Sequence, residues 1–470
     1  MTQVRHTAPT TDGSPYALHF RRTLKLAWPI IISRTGLALL FAVDTFITGQ
    51  VSADELAGLA VGSAPMFTVM LVCLGAMQST VVLSAQALGS HRLKDVGDIF
   101  RASIVNAVVL GLIAGLMSLW AYPFFLATGQ SEAVATLSAK VSFHFAWGLP
   151  GLMMFLVGNL VLESTERPQV GMVVMVVANL ANLALDGIFV LGWFNPAGPG
   201  GAVAAMATTS IVRWGMAIAT LSALFVMARR AGDPHGVIGS PKLWLQSLVT
   251  LGGANGKAIR RMGLPMGLGQ GVESAAFATM TLLAGALGAT AVAAYQATMT
   301  VMSLVYMNSV GTGGATSIRV GNAVGRRFPI DLHRAGWSGI LLGGLLSGAW
   351  GVLMIIFHEP LGRVMVEDPA TAAIASTTML MAGFFVAFDS MMGVSMGALR
   401  GLGDVWVPLI LQSAAFWLVS VPMGWLMALH FGWGASGLYV GIGAGIAASL
   451  LLLVPRFKIA AKNTSSRWNS

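Results

Sequence analysis

The sequence predicts an all-α polytopic membrane protein: twelve transmembrane helices in two six-helix lobes, related by a pseudo-two-fold axis along the membrane normal. Three observations predict it. The 470 residues are 56% hydrophobic and only 10% charged, whereas soluble domains carry about 25% charge. Twelve apolar stretches are long enough for a hydrocarbon core of ~30 Å, which takes about 20 helical residues. The second half of the chain repeats the first at a fixed offset. A β-barrel is excluded because no sustained period-two alternation occurs.

The spans read in order as 24–50, 56–88, 99–127, 134–162, 168–193, 200–229, 262–287, 291–324, 334–357, 371–399, 405–430 and 435–455. Basic residues check the count. With the N-terminus on the cytoplasmic side, 22 of the 27 Lys and Arg fall inside and only Arg363 falls in an outer loop. The remaining four, Arg34, Lys140, Arg213 and Arg319, lie within spans. This is the inside-positive asymmetry of a membrane protein. It also accounts for the formal net charge of +9 as attraction to anionic lipid rather than to nucleic acid.

The halves align at an offset of 236: Pro29 with Pro265, Gly75 with Gly311, Thr80 with Thr316, Ala87 with Ala323, and Gly89 with Gly325. Later the register drifts by a residue, so that Leu399-Arg400-Gly401 stands where Leu162-Glu163-Ser164 stood. Six helices per half is an even number, so both halves begin and end on one side. Parallel repeats of this kind place transport sites between the halves. The reading is a cytoplasmic tail over 1–23, an N-terminal lobe over 24–229, a cytoplasmic linker over 230–260, a C-terminal lobe over 261–456 and a cytoplasmic tail over 457–470. The WLQSLVT run in the linker suits a short interfacial helix. Pro29, Pro150, Pro265 and Pro422 each weaken a span locally. Residues 1–20 hold no apolar core, which predicts no cleaved signal peptide. The single cysteine, Cys73, excludes an internal disulfide and a cysteine metal cluster.

Four carboxylates, Asp44, Asp186, Glu273 and Asp389, lie inside apolar spans. An acid at membrane depth costs roughly 2.5–3.5 kcal/mol or more, so it marks a pathway rather than packing. A rise of ~1.5 Å per residue pairs them by depth. Asp44 and Asp186 lie near the outer ends of the first and fifth spans. Glu273 and Asp389 lie near the midplane in the seventh and tenth. Two carboxylates in low dielectric do not both stay ionised without a partner, so each pair invites a proton, a Na⁺ ion or an organic cation. Asn182 shares a helix face with Asp186 one turn away, and Gln296 near the outer end of the eighth span is a further polar candidate. His144 is a titratable group in the fourth span. The blander alternative is ion pairing, with Arg213 the base placed to approach Asp186. Arg319, seven residues before Arg326, reads as a side chain snorkelling to the inner surface.

Enzyme readings fare poorly. Gly401-Leu402-Gly403-Asp404 fits the GxGD pattern of intramembrane aspartyl proteases, but Asp404 sits in a turn beside Arg400 with no second catalytic Asp. GLGQG at 267–271 has no strand before it and is no nucleotide loop. With no ATP-binding motif, transport draws on an ion gradient.

Taken together the segments AWPIIISRTGLALLFAVDTFITGQ, NLALDGIFVLG, GPGGAVAAMATT, GLPMGLGQGVESAAF, GGATSIRVGNAVG and FDSMMGVSMGALRGLGD resemble the multidrug and toxic compound extrusion (MATE) transporters of the NorM type over about 24–456. The resemblance implies a V-shaped cavity between lobes and efflux of cationic, aromatic drugs in exchange for H⁺ or Na⁺. The transporter would be a monomer in the cell inner membrane with both termini cytoplasmic. It implies coupling roles for Asp44, Glu273 and Asp389, with Glu273 and Asp389 a possible Na⁺ site, and no cofactor beyond the coupling ion. Asp186 departs from the pattern, since many NorM-type members carry Asn there and DinF-type members carry Asp. Arg34 is not expected at its position. A lipid-linked oligosaccharide flippase shares the architecture, but its pyrophosphate-bearing substrate calls for cationic residues in the cavity.

Overall fold

The computed structural model describes residues 16–193 and 198–469. Every element among them is helical. The first half runs α1 (Tyr16–Gly49), α2 (Ala53–Met77), α3 (Ser79–Gly89), α4 (Asp95–Ser118), α5 (Ala121–Ala127), α6 (Glu132–Ser164), α7 (Pro168–Phe189) and α8 (Gly201–Arg230). A short α9 (Pro241–Val249) follows. The second half runs α10 (Gly253–Ala286), α11 (Ala289–Arg326), α12 (Pro329–Ile356), α13 (His358–Met365), α14 (Pro369–Leu402), α15 (Trp406–Ala414), α16 (Val421–Trp425) and α17 (Gly434–Asn469).

These make the twelve membrane crossings of the fold. The pair α2–α3 is one crossing broken only at Gln78, and residues 406–430 are another. Ten crossings are long and apolar enough by composition alone. The other two, α10 and α11, have 34 and 38 residues; Gln270 and Glu273 interrupt the apolar run of α10, and Gln296 with several Thr, Ser and Tyr residues dilutes that of α11.

Helix starts follow local chemistry. Ser52, Ser131, Ser240 and Asp368 each accept an N–H from the third residue of the helix that follows, which satisfies an orphan donor. Pro29, Pro150 and Pro265 sit inside continuous helices. Pro422 instead lies in α16, between the π-helical segments Ala415–Ser420 and Leu426–His430. Such wide turns absorb a local break in the helical ladder.

Several boundaries differ from the hydropathy reading. The first helix begins at Tyr16 rather than 24, and the last runs to Asn469 rather than 455. Apolarity marks where a helix crosses lipid, and both helices continue as charged turns beyond it. The third span ends at Ser118, with α5 a separate short helix. The helix expected in the linker is α9, with Leu245, Leu248 and Val249 exposed.

Each lobe is built round one central helix. In the first, α6 is the most enclosed crossing and packs against α8, α2 and α4. In the second, α14 packs against α11, α12 and α17. These are equivalent positions in the repeat. The lobes meet on the side where α1 begins and α17 ends, hereafter the terminal side. Gly75 approaches Met266, Gly267 approaches Val72, Gly311 approaches Ile31, and Gly321 approaches Ala85. The pseudo-symmetric glycines Gly89 and Gly325 lie against the backbone of Asn322 and Gln86 respectively. The side chain of Gln86 also donates to the Gly401 carbonyl (3.0 Å). A charged strap closes the same side. Arg319 on α11 donates to the His19 carbonyl and to Thr23 Oγ1 (2.6 Å) on α1. His19 in turn faces Asp331 on α12 at 3.4 Å, and Arg326 faces the same carboxylate at 3.3 Å. Arg319 is therefore an interlobe residue and not a snorkelling one. The lobes are joined on the terminal side by these contacts.

Candidate functional site: two acid pairs, one in each lobe

In the first lobe α1, α7 and α8 bring five buried polar side chains together: Asp44, Asn182, Asp186, Thr208 and Thr209. Asn182 and Asp186 are one turn apart on α7, and Asn182 Nδ2 bridges the two acids. It donates to Asp44 Oδ1 (2.8 Å) and to Asp186 Oδ2 (2.8 Å). Thr208 Oγ1 meets Asp186 Oδ1 at 2.5 Å. Thr209 Oγ1 meets Asp44 Oδ2 at 2.6 Å and Asn182 Oδ1 at 2.9 Å.

Proton bookkeeping in this cluster is informative. A hydroxyl has one hydrogen to donate. When Thr209 donates to Asp44, the buried Asn182 Oδ1 lacks a donor. When Thr209 donates to Asn182, its contact with Asp44 closes as a hydrogen bond only if Asp44 supplies a hydrogen. The complete network therefore has a place for a proton on Asp44. The oxygens of Asp44, Asp186, Asn182 and Thr209 are also the kind of ligands a hard cation takes.

Arg213 lies one turn beyond Thr209 on α8, toward the terminal side. Its guanidinium stacks on Phe145 (4.4 Å to the ring centre) and lies 5.3 Å from the centre of Phe41. Nη1 donates to the Phe145 carbonyl (3.3 Å), while Nε and Nη2 have no hydrogen-bond partner. The charge it feels is Asp44, not Asp186 as the order of the spans suggested.

In the second lobe Glu273 on α10 and Asp389 on α14 lie within electrostatic reach of each other. Gln412 bonds Glu273, and the guanidinium of Arg400 faces it. Glu273, Arg400, Gln412, Tyr306 and Gln270 line a cleft that reaches across to Arg34 of the first lobe. Arg34 is paired with Glu163 on α6 (3.1 Å), and Asn159 Nδ2 donates to the same Oε1 (2.8 Å). The two pairs are thus differently placed. Asp44 and Asp186 are sealed in a lobe wall, whereas Glu273 opens on the cleft between lobes.

Other candidates lie elsewhere. Gln296 is exposed on α11. His144 offers its carbonyl to Ser210 (2.5 Å) and its ring to the edge of Phe143. Asp404 accepts from Arg456 Nε (2.7 Å), an ion pair that leaves it no protease role. Sequence reasoning missed Thr208, Thr209, Glu163, Tyr306 and Gln412. The Thr-Thr pair one turn before a mid-span Arg, and a Glu closing the apolar run of α6, were the available signals. Among the described residues, no three His, Cys, Asp or Glu side chains are grouped to hold a metal ion.

Comparison with known proteins agrees with this architecture. The MatE family matches residues 29–188 and again 265–426, once in each lobe. A protein of Caulobacter vibrioides described as a probable multidrug resistance protein NorM is 30% identical over 96% of this chain and 94% of its own length. One of Xanthomonas campestris with the same description is 30% identical over 98% of this chain and 99% of its own. Among solved structures, the eukaryotic MATE transporter AtDTX14 superposes with a TM-score of 0.83 at 18% identity, covering 97% of this chain and 100% of its own. The Vibrio cholerae MATE transporter VcmN in its bent form gives 0.81 at 17% identity, covering 96% and 98%.

Proposed function

The chain belongs to the MatE family of secondary transporters, and from that premise we propose that it expels cationic, aromatic compounds from the cytoplasm in exchange for protons. The reading places it in the cytoplasmic membrane, as a monomer with the terminal side facing the cytoplasm, in keeping with the inside-positive distribution of Lys and Arg. The interlobe contacts of that side are then the inner gate.

The observation that carries the proton reading is the single hydroxyl of Thr209 between Asp44 and Asn182. With Asp44 ionised, Thr209 turns its hydrogen to the carboxylate and leaves Asn182 Oδ1 unmatched. With Asp44 protonated, the acid donates to Thr209, Thr209 donates to Asn182, and α1, α7 and α8 are tied together. Proton entry from outside therefore tightens one lobe wall and alters how α1 sits. Since α1 also packs on α11 of the other lobe, the change reaches the cleft. There Glu273 and Asp389 offer negative charge to a cationic substrate, and protonation releases it. Alternating access then carries the empty, protonated transporter inward. The flippase reading is weaker because Arg34 is paired with Glu163 and Arg400 lies in the field of Glu273.

The test is reconstitution with a fluorescent organic cation. Dye movement under an imposed pH gradient is expected, with loss of that drive in Asp44→Asn at normal expression. Movement driven by Na⁺ alone refutes the proton reading, and no movement under either gradient refutes cation export.

A further inference from the structure

Arg213 has no part in the scheme so far. It is fully buried in the membrane part of the first lobe, and two of its three guanidinium nitrogens lack a hydrogen-bond partner. A buried, incompletely bonded charge is expensive and needs a counter-charge. The charge that acts on it is Asp44. Several other ionisable side chains on the helices packed around α8 are engaged elsewhere. Glu55 on α2 accepts the Ala202 N–H at the far end of α8 (2.6 Å). Glu163 on α6 is held by Arg34. His144 on the same helix turns its ring to Phe143. Asp186 is bound by Asn182 and Thr208.

We propose that Arg213 determines the coupling ion: its guanidinium stands where a bound Na⁺ would supply charge, and so restricts the Asp44–Asp186 site to protons. This rests on the antiport reading above. The site holds two carboxylates and one fixed cation, so fully ionised it lacks a single positive charge. A second cation there works against the first. For two like charges about 6 Å apart, the scale of one helical turn, at an effective dielectric of about 20, occupancy falls roughly 100-fold. A proton bears that penalty because it forms a covalent O–H bond and leaves a neutral group. Na⁺ has only weak oxygen contacts to set against it. The ligand sphere is also spoiled, because the Asn182 amide directs N–H donors at one oxygen of each carboxylate (2.8 Å each). Arg213 further lies on the terminal side of the acids, where its charge bars a cation from crossing directly to the cytoplasm.

The experiment compares the intact transporter with Arg213→Met and Arg213→Gln, and with Arg213→Lys to keep the charge. Thermal unfolding is followed as K⁺ is replaced by Na⁺ at constant ionic strength, a readout that needs no transport. Unmutated protein and Arg213→Lys are expected to be indifferent. Arg213→Met and Arg213→Gln are expected to gain about 2–4 °C from Na⁺ as ligand linkage requires, and to lose that gain when Asp44→Asn is added. In proteoliposomes the same two variants acquire Na⁺-driven dye movement. Folded variants with no response to Na⁺ overturn the proposal. So does a Na⁺ response in the unmutated protein that vanishes in Asp44→Asn, whether or not the Arg213 variants fold. If the unmutated protein moves no dye but the Na⁺ shifts appear as expected, the antiport reading fails while the ion preference stands.

Discussion

Substituting Gly89 by alanine should unlatch the terminal side. A Cβ there would overlap the Asn322 carbonyl oxygen and lie 2.9 Å from its carbon and 3.0 Å from Cα, where carbon contacts normally stand at about 3.5–4.0 Å. The obstacle is helical backbone and not a side-chain end, so the lobes must part by several tenths of an ångström. Forced overpacking of this kind costs about 1–3 kcal/mol. The gain in helix propensity on replacing glycine is common to both orientations of the lobes and cancels. The clash exists only where the terminal side is closed. The whole penalty therefore shifts the population toward the opposite opening, by about 5- to 150-fold. Gly325, which meets the Gln86 carbonyl in the pseudo-symmetric contact, should behave alike, and Gly115, with nothing within 4 Å, should not. Spin labels at Lys94 and Ile330, both exposed on the terminal side of opposite lobes, report the opening by pulsed electron resonance in a Cys73-free background. The expected result is a longer-distance population in Gly89→Ala and Gly325→Ala, absent in Gly115→Ala. Unchanged distances in both variants would refute the assignment of this contact as the closed gate.

The remaining predictions concern stability. Arg34→Leu strands the buried Glu163 carboxylate and should cost about 3–5 kcal/mol, most of it recovered in the double variant with Glu163→Gln. Equal loss of thermal stability in single and double variants would show that the stranded carboxylate is not the source of the cost. Asp368 caps α14 through the N–H and hydroxyl of Thr371, and these bonds hold its carboxyl below the ordinary 3.8. A depressed folded value means stabilisation that is present above the ordinary value and lost as pH falls through the lowered one. The melting difference between the protein and Asp368→Ala should therefore be constant at neutral pH and vanish in strong acid. A difference that persists there argues against an ionic cap.

The repeat, the crossings and the depth of each acid were legible because each depends on position along one helix. Spacing from a loop gives depth, so it placed Asp44 level with Asp186 and Glu273 level with Asp389. Spacing gives no rotation about the helix axis, so it did not say which face of α11 carries Gln296, whose side chain is exposed. Nor does it reveal partners distant in the chain. Arg34 finds Glu163 129 residues away, and Arg319 reaches His19 across 300. Such pairs exist only once helices are assembled, so Arg319 read as a snorkelling residue when it is half of an interlobe strap.

The symmetry of the scaffold is not shared by its chemistry. At the offset of 236, Asp44 corresponds to Met280 and Glu273 to Leu37, while Arg34 corresponds to Gln270. The duplicated helices preserve glycine contacts and prolines, which serve packing, but each lobe carries its acids at a different depth. Asp44 is 1% exposed and walled in by α7 and α8, so a bulky substrate cannot reach it without opening the lobe. Glu273 borders the cleft and can be reached directly. On the antiport reading proposed above, competition for a shared carboxylate is available to the second lobe alone. The first then acts at a distance, through α1, whose far half carries Asp44 and whose terminal half packs on α11. One helix thus spans both the proposed proton site and the terminal-side contacts, and on the antiport reading that continuity is the buried acid's mechanical route to the cleft.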